Sequence, residues 1–227
     1  MQILESTLPT FRYHYKWGKN PSPYLAASRV IVLELANPAF VERCDASFAK
    51  MSSPSKPGGV RMAEMTQRWM NDTSALLRDA LLAAGVPPFY MMDDLEPMLV
   101  RMEDQVSYHV DMPLWSNVFG AWMLDGPERT LRFPYMGIEI PFKPGTLVLF
   151  DPAQPHALLR PGATLYETFD DAKEHPIKMV HFACFKRDVM MDLLGLQEYA
   201  PDKHEPIRHT VDQYSAIPEN GVVMFRD

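Results

Sequence analysis

The sequence predicts an α+β protein, a jelly roll of antiparallel strands buttressed by helices that precede it. Three observations carry this. The two clear helical segments come before Pro97. From Pro97 onward short β-type runs follow one another: MLVRMED, SYHV, VFGAWML, TLRF, GIEI, TLVLF, HALL and IKMVHFACF. Turn residues separate most of them, among them Pro113, Asp125-Gly126-Pro127, Pro134, Pro144-Gly145, Pro152 and Pro161-Gly162. Many short strands with regular turns close into a sandwich or barrel. Helices that come first pack on one of its sheets.

The elements follow in order. Aromatics alternate from Phe11 to Trp17, a strand period. SRVIVLEL, from Ser28 to Leu35, is β-branched and short and reads as a strand. Asn37-Pro38 reads as an N-cap with proline at the first helical position, and the helix runs to about Ala49. MSSPSKPGG, from Met51 to Gly59, is a surface loop. Met65, Trp69, Leu76, Leu77, Ala80, Leu81 and Ala84 recur near helical spacing, so Val60 to Ala84 reads as one long helix, with a candidate break at Asn71-Asp72 and a stop at Gly85. After the strands, Val189 to Leu196 has helical character and the remainder is polar and proline-containing.

The chain has 227 residues, 47% of them hydrophobic, enough for one domain with a sizeable core. The division is an N-terminal strand and helical support over 1–96, a jelly-roll core over 97–186 and a tail over 187–227. A net charge of −7 argues against nucleic acid, whose phosphates need clustered lysine and arginine. Cys44 and Cys184 form no CxxC pair and read as reduced thiols. No apolar run has signal-peptide or membrane-spanning length, so the expectation is a cytoplasmic protein without membrane contact. Oligomeric state is not readable.

The chemistry lies between Ser107 and Arg160. His109-Val-Asp111 opens this stretch and His156 closes it. Two imidazoles and one carboxylate are the donors of a facial triad for non-haem Fe(II), with adjacent coordination positions left open. With 7 His and 29 acidic residues, about one His-x-acid pair arises by chance. The strand context makes this one stronger. His109 and Asp111 are two apart at a strand end and emerge on one face. The segment 112–155 is long enough for several strands to return and bring His156 beside them. His181 lies inside a strand and reads as a core histidine.

In these features the segment resembles the double-stranded β-helix core of the Fe(II)/2-oxoglutarate-dependent dioxygenases, which is cupin-like in architecture. KPGTLVLFD, from Lys143 to Asp151, is similar to the family's turn and strand before the distal histidine. LVRMEDQVSYHVD, from Leu99 to Asp111, is similar to the prolyl-4-hydroxylase branch. The resemblance covers about residues 97–186. It implies Fe(II) on His109, Asp111 and His156, with 2-oxoglutarate as cosubstrate and O2 as oxidant. It implies hydroxylation of an unactivated C–H bond, with release of succinate and CO2. A basic residue on the last core strand would hold the cosubstrate's far carboxylate. Lys178 is the first candidate and Arg160 the rival, with Tyr108 as a further pocket group. The gap from His156 to Lys178 is longer than the family pattern. The acidic chain favours a small molecule, amino acid or peptide as substrate. Two other readings remain: a cupin-type metal enzyme that does not use 2-oxoglutarate, and a non-catalytic jelly-roll binding module.

Overall fold

The computed structural model describes residues 1–7, 12–17, 20–25, 27–51, 60–63, 67–86, 96–109, 117–152, 154–164, 176–186, 193–195, 197–198, 216–219 and 222–225. Two antiparallel sheets make the core. The larger contains β1 (Gln2–Glu5), β4 (Arg29–Glu34), β5 (Val60–Ala63), β6 (Glu96–Glu103), β8 (Asn117–Asp125), β11 (Thr146–Phe150) and β13 (Pro176–Lys186). Their order is β1-β4-β11-β8-β13-β6-β5. The smaller sheet contains β7 (Val106–His109), β9 (Arg129–Phe133), β10 (Ile138–Phe142) and β12 (His156–Leu159), in the order β10-β9-β12-β7. From β6 to β13 the chain passes repeatedly from one sheet to the other, with only β9 and β10 following one another as a hairpin within the smaller sheet, a jelly-roll path. A small sheet joins β2 (Arg12–Trp17), β3 (Asn20–Leu25) and β14 (Gln197–Glu198), and β15 (Ala216–Glu219) pairs with β16 (Val222–Phe225).

The alternation of side chains divides the core in two. Val100, Phe119, Val148, Phe150 and Met179 point inward from the larger sheet and meet Leu131, Phe133, Ile140 and Leu158 of the smaller one. The opposite face of the larger sheet, with Leu33, Leu99, Trp122, Val180 and Phe182, packs on the helices α1 (Pro38–Phe48) and α2 (Gln67–Ala83). Phe40 of α1 stacks on Trp122 with ring centroids 4.8 Å apart. Burying a side chain of that size is worth ~1.5–3 kcal/mol. Cys44 is a buried thiol of this layer, with its pKa pushed up to about 12 by burial.

Local signals explain the helix ends. Asn37 Oδ1 accepts the amide of Phe40 at 3.1 Å, and Pro38 occupies the first turn. Gly85 has φ of 88° and donates to Leu82 O, while Val86 donates to Leu81 O, a Schellman stop. The expected long helix over Val60 to Ala84 is corrected. Val60–Ala63 is a strand, paired with Leu99–Met102 of β6, and the helix begins at Gln67 without a break at Asn71-Asp72. The open edge of β6 recruits these four residues, so the sheet overrides the local helical pattern. The Met51–Gly59 loop and the expected helix over Val189 to Leu196 fall largely outside the described residues. Among the described residues no helix is long and apolar enough to cross a membrane.

Gly120 of β8 lies directly beneath Phe182, and a Cβ placed there would sit 2.3 Å from the phenyl ring. Gly120→Ala must displace Phe182 from the helix-facing core, and the expected cost in denaturant unfolding is ~1–3 kcal/mol.

Candidate metal centre

β7 and β12 run antiparallel, and His109 is the register partner of His156. The next aligned pair is Val106 with Leu158. Three residue steps on β7 therefore match two on β12, and β7 carries a bulge at Ser107-Tyr108. The bulge decides the site. Val106 and Leu158 pack in the core between the sheets, whereas Tyr108 packs outside with Ala157 and Leu159. Strict alternation from Val106 would turn Tyr108 inward and His109 outward. The extra residue reverses this and aims His109 at His156.

The two rings lie 4.3 Å apart between centroids. His156 is buried, with 4% of its surface exposed, against the edge of Phe150 at 4.8 Å and beside Phe133 at 5.9 Å. Each imidazole uses its Nδ1 in the same way. His109 Nδ1 lies 2.7 Å from Ser107 O, and His156 Nδ1 lies 2.8 Å from Gln154 O. A carbonyl only accepts, so Nδ1 carries the proton in both rings. In the neutral form each Nε2 then bears the lone pair a metal takes. This donor set fits a divalent transition metal. Asp111, the expected third donor, lies outside the described residues, and among those described no group of three ligand-type side chains forms.

The three residues expected to bind the cosubstrate are not brought to this pair. Lys178 shares its face of β13 with Val180 and Phe182, which is the helix side of the larger sheet. Its ammonium bonds Asp125 at 2.8 Å and Asp45 of α1 at 3.1 Å. Burial pulls the Lys178 pKa down, but the hydrogen bonds to the two carboxylates outweigh this and hold it above the ordinary lysine value. Arg160 is spent at the far end of β12. Its Nε and Nη2 hold Asp104 Oδ2 at 2.9 and 2.7 Å, and its amide donates to Gln105 Oε1 at 2.9 Å. Asp104, buried with φ of 72°, also receives Arg129, whose Nε bonds the Asp104 carbonyl at 2.9 Å. Arg160 thus fastens the β6–β7 turn to β12. Tyr108 lies on the outer face and donates to Thr164 O at 3.3 Å, and burial raises its phenol pKa.

His181, read from the sequence as a core histidine, is half-buried on the inward side. Its ring lies 4.8 Å from Phe119, which meets Phe150 at 5.4 Å, and its Nε2 lies beside Met179 Sδ. The carbonyls of Ser107 and Gln154 carry no residue-type signal in the sequence. The signal for them is positional, two residues before each histidine.

No protein-family model and no curated protein matches the chain. Solved structures similar to it include a Pseudomonas putida prolyl-4-hydroxylase, 16% identical, with a TM-score of 0.47 over 71% of this chain and 94% of that one. A viral collagen prolyl hydroxylase from Paramecium Bursaria Chlorella virus-1 is 11% identical, with a TM-score of 0.46 over 67% of this chain and 93% of that one. HygX from Streptomyces hygroscopicus, solved with nickel, 2-oxoglutarate and hygromycin B bound, is 11% identical, with a TM-score of 0.44 over 69% of this chain and 82% of that one. The jelly-roll assignment stands on strand order and register in this chain.

Two expectations follow from the site. Deleting Ser107 alone leaves His109 two regular steps from Val106 and still inward, whereas deleting Ser107 and Tyr108 together leaves one step and turns it outward; cobalt(II) titration of the folded variants should show binding kept in the first and lost in the second. Asp125 is held below the usual 3.8, chiefly by its hydrogen bond from Lys178. The pair's contribution to stability is therefore complete above that unfolded value and fades as pH falls through the lowered one. Lys178→Met should remove this part of the acid dependence in unfolding curves.

Proposed function

We propose that the chain is a non-haem iron oxygenase, with Fe(II) held by His109, His156 and Asp111 and with 2-oxoglutarate and O2 as co-reactants. Its reaction is the hydroxylation of an unactivated C–H bond in a small molecule, amino acid or peptide. The observation that carries the reading is the paired imidazoles, both with Nδ1 committed to a backbone carbonyl and both directed into the jelly roll. When bound, the metal supplies the activation of dioxygen, for which side chains have no equivalent. The chain's own part is to hold the two rings in one tautomer and to keep water away from His156 with Phe133 and Phe150.

A specific observation favours a second reading, a cupin-type metal enzyme that does not use 2-oxoglutarate. Lys178 and Arg160 do not fit as partners of the cosubstrate's far carboxylate, because each is already paired with aspartate away from the histidines. No binding step for that carboxylate is derived from them.

Anaerobic addition of Fe(II) and then 2-oxoglutarate separates the readings. The oxygenase reading expects a metal-to-ligand charge-transfer band, a loss of iron affinity of at least about a hundredfold in His109→Ala and His156→Ala, and a band that survives Lys178→Ala. Stoichiometric iron without the band selects the second reading. No iron binding at all makes the chain a non-catalytic jelly-roll module.

A further inference from the structure

We propose that Gln154 is the positioning residue for His156, locking the carbonyl that fixes the histidine's tautomer and direction. The inference rests on the metal reading above for its purpose, though its geometry stands in the chain alone. Gln154 is buried, with 1% of its surface exposed, in the turn between β11 and β12. Its backbone oxygen accepts the His156 Nδ1 proton at 2.8 Å. A carbonyl that orients a ring must itself be held, and this one is held from three sides.

The Gln154 amide donates to Asp151 O at 2.9 Å, closing the turn. Pro155 follows and confines Gln154 to extended backbone conformations. The side chain then ties the turn to the segment just before β4, with Nε2 donating to Ala27 O at 2.7 Å. Since Ala27 O can only accept, the atom facing it must be the amide nitrogen, which fixes the orientation of the side chain. The other side-chain atom, Oε1, is buried with no hydrogen-bond partner among the described residues. An apolar residue of similar length would fill the space without burying an unanswered acceptor. Glutamine at this position is explained by the bond to Ala27, which an apolar residue does not make.

His109 differs. Its matching carbonyl belongs to Ser107, which is exposed and sits in the β7 bulge. The two histidines are thus held by the same backbone bond, but only the buried one has its carbonyl secured by a buried side chain.

The test uses Gln154→Met, which keeps length and loses the donor, and Gln154→Glu, which sets a carboxylate against the Ala27 carbonyl. Ile31→Val serves as a control for general loosening of the core. Imidazole 15N shifts of the metal-free protein read the tautomer directly. Wild type and Ile31→Val are expected to show His156 as the single Nδ1–H form, and both Gln154 variants a mixture. Cobalt(II) affinity is expected to fall about tenfold or more in the Gln154 variants and to hold in Ile31→Val. The inference is overturned if His156 is not Nδ1–H in wild type, or if the tautomer stays single in both folded Gln154 variants. Failure of wild type to bind cobalt(II) with the expected tautomer pattern intact would instead sink the metal reading and leave the positioning role standing.

Discussion

The hydrogen bonds between β7 and β12 make neighbours of two histidines that are separated in the chain by β8 through β11. That pairing has to be right in two respects. Its register must set His109 opposite His156, and its bulge must turn both rings to the same side. The Asp104–Arg160 ion pair clamps the strands where β7 begins and β12 ends. With that end held, the bulge fixes which β7 residue reaches the interior at the other. The i−2 carbonyls then determine which nitrogen each ring presents. Backbone geometry, more than side-chain identity around the rings, builds the donor pair.

The larger sheet provides a stiff support for this arrangement. Its inward face meets the smaller sheet through Phe119, Phe150 and Phe133, and Phe133 and Phe150 wall His156. Its outward face is covered by α1 and α2, so its central strands are buried on both sides. Gly120 shows how closely that layer is packed, since Phe182 occupies the space a methyl group would need. Lys178 belongs to the same helix-facing layer and ties α1 to β8 and β13 through Asp45 and Asp125.

Much of the architecture was legible because its signals are local. Short β-type runs mark the core strands from β6 to β13, with turn residues between most of them, and Asn37-Pro38 marks the start of α1. β5 was not legible: its four residues continue a helical pattern and become a strand only because β6 offers an edge. In the site, His109 and His156 were readable from residue type and strand context. The roles given to Lys178 and Arg160 required knowing which face of β13 the helices cover and what lies at the far end of β12. Alternation places Lys178 on one face with Val180 and Phe182 but does not say which face is the interior. Arg160 shares the parity of His156, yet Asp104 takes it, and Asp104 lies far away in sequence. The bulge that excludes Tyr108 has no composition signal in β7. Asp111 lies outside the described residues.

The distribution of polar work along β12 divides the strand between two tasks. His156 opens it with the donor pair, and Arg160 follows its end with the buried ion cluster, four residues or roughly 13 Å away at strand rise. At that separation, substitutions that share no partner act almost independently. Variation beside the histidines can therefore alter the donor pair while the ion cluster keeps the fold intact, and losses of stability at the cluster need not alter the pair. A scaffold so divided is well suited to divergence: one end can change under selection while the other preserves the protein that carries the change.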